Sequence, residues 1–189
     1  MESAPFVFPG WLRYGGPPVI KRIKLILIVC LLPCLLAFAG PEWQVYFSPT
    51  GGCTAAITNE LGKATNSILV QAYSFTSAPI ANALVAAHAR GVTVTVILDK
   101  GQKTARKSKA GSVSQAGITT LIDAKRGIAH NKVMVIDGLV VITGSFNFTM
   151  NAEENNAENL LIIRDKELAG KYIANWHLHE AHSAVYQGK

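Results

Sequence analysis

Hydrophobic residues along the chain follow two patterns, one typical of β-strands and one typical of helices. Runs rich in apolar and β-branched residues predict seven strands. These runs lie at residues 43–48, 67–75, 92–98, 118–122, 132–136, 139–143 and 159–164. Apolar positions at helical spacing predict helices at residues 54–65, 79–90 and 166–185. The alternation predicts a single α/β domain, in which a mixed β-sheet is flanked by helices on both faces.

The first part of the chain has the features of a secretory signal peptide behind a long head. The basic segment 21–24 precedes fifteen uncharged, mostly apolar residues, which end in the small-residue pattern Ala37-Phe38-Ala39. We therefore expect residues 1–39 to be an N-terminal extension and signal peptide, and residues 40–189 to be a periplasmic or secreted domain. The alternative is an uncleaved anchor, which would keep the same domain outside the cytoplasm and in contact with the membrane.

Length, charge and cysteine content exclude several classes of protein. The whole chain is 49% hydrophobic and 16% charged with a formal net charge of +6, and part of this basicity lies in the N-terminal segment. Residues 40–189 suffice for one domain with a sizeable core. Of the three cysteines, cleavage would leave Cys53 alone, as a buried free thiol or an intermolecular disulfide. A two-domain enzyme, a polytopic membrane protein and a disulfide-rich miniprotein are excluded.

Polar residues gather around a predicted β-hairpin. The dipeptide Asp137-Gly138 separates two β-rich runs and is a strong signal for a two-residue turn. Such a turn would pair Ile136 with Leu139, and alternation along the two strands would then place four polar side chains on one face. These side chains are His130, Lys132, Ser145 and Asn147. Asp137 falls in the turn itself, where we expect a structural role as a hydrogen-bond acceptor.

The chemistry of this group suits a phosphate. A lysine cation and neutral hydroxyl and amide groups can hold phosphate oxygens. An imidazole beside the phosphorus can act as a nucleophile or a general base. An ordinary hairpin with a polar exposed side is the alternative, and it does not account for the joint spacing of the six matching positions.

The spacing His130-x-Lys132-x4-Asp137-x6-Gly144-Ser145-x-Asn147 resembles the HKD motif of the phospholipase D superfamily over its full length. Residues 73–77 and Glu158 also resemble the surroundings of this motif in short bacterial nucleases of the family. The resemblance covers most of residues 43–185. It is strongest to small exported endonucleases that carry a single copy of the motif.

The resemblance implies a metal-independent phosphodiesterase without a cofactor. His130 would attack phosphorus and form a phosphohistidine, and Glu158 would orient His130 through its other ring nitrogen. The residues that would hold the phosphate oxygens are Lys132, Ser145 and Asn147. A second histidine must protonate the leaving alkoxide. Because this chain has one motif copy, it resembles members in which two halves of an active site meet in a homodimer.

Five cations without an intervening acid follow the third predicted strand. They are Lys100, Lys103, Arg106, Lys107 and Lys109. The surrounding residues 100–117 are polar and rich in Gly and Ser, so we expect a loop or an irregular helix. Beside the site, such a loop would bind a nucleic-acid backbone with little sequence preference. The alternative is a solvated loop without a ligand.

Three histidines at positions 177, 179 and 182 lie in the last predicted helix. Clusters of histidines are common at metal sites, so a bound metal is one interpretation. However, positions 177 and 179 lie about 200° apart around a helix, so the three cannot simply converge. We expect no metal here, and surface or dimer contacts instead.

Three functions from different classes stay open. The first is a non-specific endonuclease that hydrolyses DNA, with RNA as a further substrate to test. The second is a lipid phosphodiesterase of the phospholipase D or cardiolipin type, which would show an apolar surface or an interfacial helix. We expect no such surface outside the core of residues 40–189. The third is a binding protein with an inactive site, which is disfavoured because every position of the motif is intact.

Overall fold

Within the described residues, the chain folds into eight strands and five helices. The structure is a computed structural model, which describes Gly10 and residues 42–188. The strands are β1 (Glu42–Ser48), β2 (Ser67–Ala72), β3 (Thr93–Asp99), β4 (Thr119–Asp123), β5 (Lys132–Ile136), β6 (Val140–Gly144), β7 (Glu158–Arg164) and β8 (Ala184–Val185). The helices are α1 (Cys53–Lys63), α2 (Ala78–Ala89), α3 (Ala110–Gln115), α4 (Met150–Glu154) and α5 (Lys166–Glu180), with a 3₁₀ helix at Lys100–Lys103. Apart from Gly10, the predicted extension and signal peptide at residues 1–39 lie outside the described residues.

The strands form one mixed sheet in the order β1-β7-β6-β5-β2-β3-β4-β8. Strands β2, β3 and β4 run parallel, and the other neighbouring pairs are antiparallel. Helices α1 and α2 cover one face through Ile57, Leu61 and Leu84, which share the main core with Met134. Helix α5 covers the opposite face, where Ala169 packs into a second apolar cluster. The predicted α/β fold with helices on both faces is confirmed.

Local sequence signals explain where the helices begin and end. Helix α2 is capped by the Ser77 hydroxyl, which accepts from the Ile80 N–H, and Pro79 lies in its first turn. Gly91 follows the helix with φ of +93°, a conformation that glycine adopts without steric cost.

Cys53 is fully buried at the start of α1 as a free thiol, as predicted, and burial raises its pKa to about 11.

The predicted register of the β5–β6 hairpin is wrong by one residue. Asp137 and Gly138 form the turn with φ of 54° and 63°, but Ile136 pairs with Val140. Leu139 is therefore an additional, exposed loop residue, whose N–H still donates to the Ile136 carbonyl. This register shifts β6 relative to β5, so simple alternation does not place Ser145 on the face of Lys132. A break in β6, described below, brings Ser145 into the site instead.

The end of the chain also differs from the prediction. Helix α5 ends at Glu180 rather than at residue 185, and β8 pairs with β4. Tyr186 explains the change, because its N–H donates to the Thr120 carbonyl and its ring is buried in the main core. The segment after the helix is thereby fixed along the sheet. The polar segment 100–117, predicted to be a loop or an irregular helix, contains the 3₁₀ helix and α3.

Strand β1 exposes an apolar surface that the sequence analysis did not expect. Alternate side chains of this edge strand, Trp43, Val45 and Phe47, are 63%, 40% and 64% exposed. An open apolar cavity of about 510 Å³ is lined by Trp43 and Val45 together with Leu161 and Leu168. The expected absence of an apolar surface is therefore wrong for the single chain. Of the described helices, none combines the length and the hydropathy required to cross a membrane.

Candidate active site

One edge of the sheet collects the strand ends that carry the predicted site. Strands β2 and β6 end at this edge, and β5 and β7 begin there. An open cavity of about 730 Å³ lies at the edge. The five residues predicted to be catalytic all line it, namely His130, Lys132, Ser145, Asn147 and Glu158. The fold thus brings together residues that span almost thirty positions of the sequence.

His130 and Lys132 form a close pair at the start of β5. The Lys132 Nζ lies 2.9 Å from Nδ1 and 3.1 Å from Nε2 of His130, and it donates to the His130 carbonyl oxygen at 2.7 Å. The ring of Tyr73 packs against the imidazole with centroids 4.5 Å apart, and Lys132 Nζ lies 5.2 Å from the Tyr73 centroid. An ammonium donates only, so a hydrogen bond from Lys132 to the ring would use the lone pair of an unprotonated ring nitrogen. A ring nitrogen with a lone pair is what a nucleophilic histidine requires.

The two residues of this pair differ in burial, and burial changes the pKa of Lys132. Lys132 is only 7% exposed, whereas His130 is exposed to the cavity and solvent. Burial lowers the pKa of Lys132 below its ordinary value, and the Glu158 carboxylate acts in the opposite direction. The ammonium therefore lies in a partly desolvated position, where its attraction to a phosphate oxygen is stronger than in water.

Gly144 ends β6 and redirects the chain toward the cavity. The N–H groups of Ser145 and Phe146 both donate to the Asn159 carbonyl, at 3.1 and 3.2 Å, which is a bulge against β7. Gly144 has φ of +146°, and a Cβ at this position would lie 2.3 Å from the Asn159 carbonyl oxygen. Only glycine fits such a close approach. The motif glycine is thus explained by the turn that places Ser145.

Glu158 is held by two neighbours in this chain. Its Oε2 accepts from the Ser145 hydroxyl at 2.6 Å, and its Oε1 accepts from the Asn156 side chain at 2.9 Å. Between the described atoms of Glu158 and His130 there is no hydrogen bond. Within the single chain Glu158 therefore orients Ser145, and the role expected for it toward His130 stays a prediction.

Two buried polar atoms near the cavity have no hydrogen-bond partner among the described residues. They are Oδ1 of Asn147 and Nε2 of Gln71. Gln71 is 2% exposed, and its Oε1 accepts from the Asn131 side chain at 3.0 Å. Unpaired buried polar atoms are costly, so these two are positioned to pair with a polar ligand or water. Gln71 was not among the predicted site residues, although a glutamine inside the apolar strand β2 is a signal for a polar role.

Asp137 lies at the opposite end of β5 from His130. Its carboxylate accepts hydrogen bonds from the N–H groups of Thr65, Asn66 and Ser67 and from the Thr65 hydroxyl, at 2.8 to 3.0 Å. Burial alone would raise the pKa of Asp137, but these hydrogen bonds outweigh burial and hold it below its ordinary value. The structure therefore separates Asp137 from the cavity and gives it contacts that join the hairpin turn to the start of β2.

We expect Asp137→Asn to destabilise the fold by about 1–2 kcal/mol at pH 7, because an amide replaces one acceptor oxygen by a donor. The native pKa is depressed, so the carboxylate stabilises the fold above the unfolded-state pKa, and this contribution is lost as pH falls through the native value. Urea unfolding at pH 7 and at pH 3 measures both effects. A difference between parent and variant that stays constant with pH would contradict the assignment.

The five predicted nucleic-acid-binding cations lie outside the main cavity. They are Lys100, Lys103, Arg106, Lys107 and Lys109, and the structure shows no ion pair for any of them among the described residues. Lys107 lines a second cavity of about 500 Å³. Asn147 lines both cavities, so the basic segment adjoins the candidate site. Lys125 and Arg126, which the sequence analysis did not single out, are also exposed near Lys100.

Comparisons with known proteins identify the family of this chain. Residues 57–177 match the family described as cardiolipin synthase, PLD-like domain. A phospholipase D from Rickettsia conorii is 49% identical over 130 residues, which cover 69% of this chain and 65% of the relative. The chain thus spans slightly less than two thirds of that relative's length. A mitochondrial cardiolipin hydrolase from Xenopus tropicalis is 36% identical over 110 residues, covering 58% of this chain and 52% of that protein.

Solved structures share the fold. Nuc from Salmonella typhimurium, a phospholipase D family member, superimposes with a TM-score of 0.75 and 36% identity over 79% of this chain and all of Nuc. NucT from Helicobacter pylori has a TM-score of 0.72 at 24% identity and shares the fold over 78% of this chain. The family match covers most of the described residues and contains the complete motif around His130. The chain therefore belongs to the phospholipase D superfamily.

Proposed function

We propose that the protein is a metal-independent phosphodiesterase, most specifically an endonuclease that hydrolyses DNA through a phosphohistidine. The observation that carries this proposal is the contact of 2.9 Å between the Lys132 ammonium and the His130 ring in an open polar cavity. This contact supports the proposal, because an imidazole that would act as the nucleophile lies beside a cation that would hold phosphate oxygens. The side-chain amides of Asn147 and Gln71 lie around the same cavity, as does the Ser145 hydroxyl, which donates to Glu158 in the single chain and would turn to the phosphate.

The reaction would proceed in two balanced steps. A lone pair of His130 attacks phosphorus, an N–P bond forms, and the P–O bond to the leaving alkoxide breaks as a second imidazole donates its proton. Water then attacks phosphorus and gives a proton to the second imidazole, and the N–P bond breaks. In the first step the Lys132 ammonium would transfer its hydrogen bond from the imidazole to a phosphate oxygen.

The need for a second imidazole supports a homodimer. Among the described residues that line the cavity, His130 is the single histidine. One imidazole cannot be nucleophile and general acid in the same step. Two copies of the chain would supply the pair by symmetry at a shared site. Light scattering coupled to size exclusion is expected to give twice the chain mass, and a monomer with full activity would contradict this arrangement.

The positions of the exposed cations support a nucleic acid as the substrate. The second cavity links Asn147 of the candidate site to Lys107 of the basic segment, and the neighbouring cations have no ion-pair partner among the described residues. A polyanion could therefore extend from the reacting phosphate along these cations. RNA presents the same backbone charges and belongs in the same assay. Residues 1–39 motivate the further proposal of export to the periplasm or medium, which cell fractionation tests.

A lipid phosphodiester is the second candidate, and two observations favour it. Relatives at 36 to 49% identity carry the names phospholipase D and mitochondrial cardiolipin hydrolase. The exposed apolar residues of β1, namely Trp43, Val45 and Phe47, offer a surface for a bilayer interface. The same surface also suits the contact between two copies of the chain. The chemistry at His130 is common to both candidates, so the substrate decides between them.

A substrate comparison tests the proposal. Purified protein in excess EDTA is incubated with supercoiled plasmid, with single-stranded RNA and with cardiolipin vesicles. We expect nicked plasmid and no dependence on added metal. Hydrolysis of cardiolipin with an intact plasmid would overturn the nuclease proposal in favour of the lipid candidate. No turnover of any phosphodiester would overturn both.

The basic segment gives a separate prediction. We expect the double substitution Lys103→Gln/Lys107→Gln to reduce the slope of log Kd for DNA against log salt concentration by about two. Each lost phosphate contact should contribute about one unit to that slope. Fluorescence anisotropy on a catalytically inactive background measures the slope. The matched control is Lys63→Gln/Lys166→Gln, which removes the same charge near the other ends of the strands. Equal slopes for both variants would show that the segment does not bind DNA.

A further inference from the structure

Two histidines and an aspartate meet at the end of β4, apart from the residues that line the His130 cavity. His179 Nδ1 lies 2.7 Å from Oδ2 of Asp123, and His182 Nε2 lies 3.2 Å from Oδ1. One ligand atom from each residue can be chosen so that all three lie within 4.8 Å of one another. The group joins the end of α5 to the end of β4.

Asp123 provides a buried negative charge. Its side chain is fully buried, whereas those of His179 and His182 are 17% and 14% exposed. A fully buried carboxylate requires compensating positive charge or hydrogen-bond donors.

The hydrogen bonds in the structure compensate the Asp123 carboxylate only in part, and they leave one imidazole nitrogen unpaired. His179 and Asp123 share one short contact, and Oδ1 of Asp123 accepts from the Lys125 N–H at 3.1 Å. His182 Nε2 is buried and has no hydrogen-bond partner among the described residues. It lies near Oδ1 without the alignment that a hydrogen bond needs. A cation between the imidazole lone pair and the carboxylate would satisfy both groups.

We propose that Asp123, His179 and His182 bind a structural zinc ion. Two imidazole nitrogens and one carboxylate oxygen are a donor set that Zn²⁺ accepts. Ligand bonds of about 2.1 Å around a tetrahedral ion place donor atoms roughly 3.4 Å apart, so only small side-chain rotations are required. The partial exposure of both histidines leaves room for water as a fourth ligand.

The position of the group defines what the ion would do. Asp123 ends β4, while His182 lies between the end of α5 and β8, which itself pairs with β4. Zinc would therefore fix the C-terminal segment to the sheet and stabilise the fold. His177 is not part of the group, since it contacts Glu180 on the exposed side of α5. The three histidines therefore do not converge, as predicted, and the third residue of the group comes from β4.

Zinc retention and thermal stability test the proposal. The full chain, free of any histidine tag, is stripped with a chelator, loaded with ZnCl₂ and dialysed. We expect about one zinc per chain and a Tm increase of about 5–10 °C at a hundredfold excess over Kd. His182→Gln and Asp123→Asn should lose both the ion and the Tm increase. His177→Gln is the matched control, which changes a histidine of the same helix and should retain both.

Three results would overturn the zinc site. They are absence of bound zinc in the parent, equal retention in the parent and His182→Gln, and loss of zinc in the His177→Gln control. If Asp123→Asn fails to fold, His182→Gln decides, because that side chain is partly exposed and its Nε2 has no hydrogen bond to lose. The result is independent of the proposed nuclease reaction, since metal analysis and Tm require no substrate.

Discussion

Replacing His130 with asparagine is expected to reduce phosphodiester hydrolysis by at least about 10³-fold. Asparagine keeps a polar side chain of moderate size at this exposed position but offers no nucleophilic lone pair. In a homodimer the substitution would remove the nucleophile and the general acid together. The rate of plasmid nicking in excess EDTA, under single-turnover conditions, measures the loss.

The fold should be little affected by this substitution, because His130 is exposed and its side chain forms a hydrogen bond with Lys132 and a ring contact with Tyr73 among the described residues. Thermal unfolding of the variant checks this point. His177→Asn is the control, since it removes an exposed histidine away from the cavity. A His130→Asn protein that retains more than about a tenth of the parent rate would show that another group is the nucleophile.

Lys132→Met is expected to reduce the rate constant for cleavage by about 10²- to 10³-fold. The ammonium is nearly buried beside His130, so its charge acts on the reacting phosphate with little screening by water. Methionine has a similar length and matches the apolar part of the lysine chain. The effect should therefore fall on kcat rather than on the stability of the protein.

Single-turnover cleavage and DNA binding, measured separately, distinguish this role from general attraction of DNA. Lys166→Met provides the control, because it removes a positive charge from the first turn of α5, away from the residues lining the cavity. If Lys132→Met weakens binding but leaves the cleavage rate within about threefold of the parent, Lys132 attracts the substrate and does not stabilise the transition state.

The sequence predicted most of the fold because its elements carry local signals. The β-branched runs, the Ser77 cap and Gly91 each depend on residues close in sequence. The turn at Asp137-Gly138 was found for the same reason, but its register was not. That register depends on Leu139 entering the loop, which the hairpin signal alone does not specify.

The candidate site was predictable as a set of residues but less so as a geometry. The spacing of the motif identified His130 and Lys132, which the fold places in one cavity. The contact of Glu158 with Ser145 follows from the bulge at the end of β6 against β7, a pairing that the motif spacing does not specify. The Asp123 group was missed because its aspartate lies more than fifty residues from its histidines.

The exposed apolar residues of β1 show a further feature that the hydrophobic pattern of the sequence does not predict. Alternation correctly predicts a strand there, but it does not show whether a neighbouring element covers each face. In the structure β1 lies at the edge of the sheet, and Trp43 and Phe47 stay mostly exposed. Burial of an edge strand depends on the full strand order, which includes pairings between distant segments.

Chemical trapping of the covalent intermediate tests the central claim most directly. DNA labelled with ³²P at internal phosphates is mixed with the protein in excess EDTA, and the reaction is stopped by denaturation within one turnover. A phosphohistidine is expected, stable in base and labile in acid, and peptide mapping should place the label on His130. Turnover of DNA without a labelled protein, or a label that persists in His130→Asn, would contradict the assignment of His130 as the nucleophile.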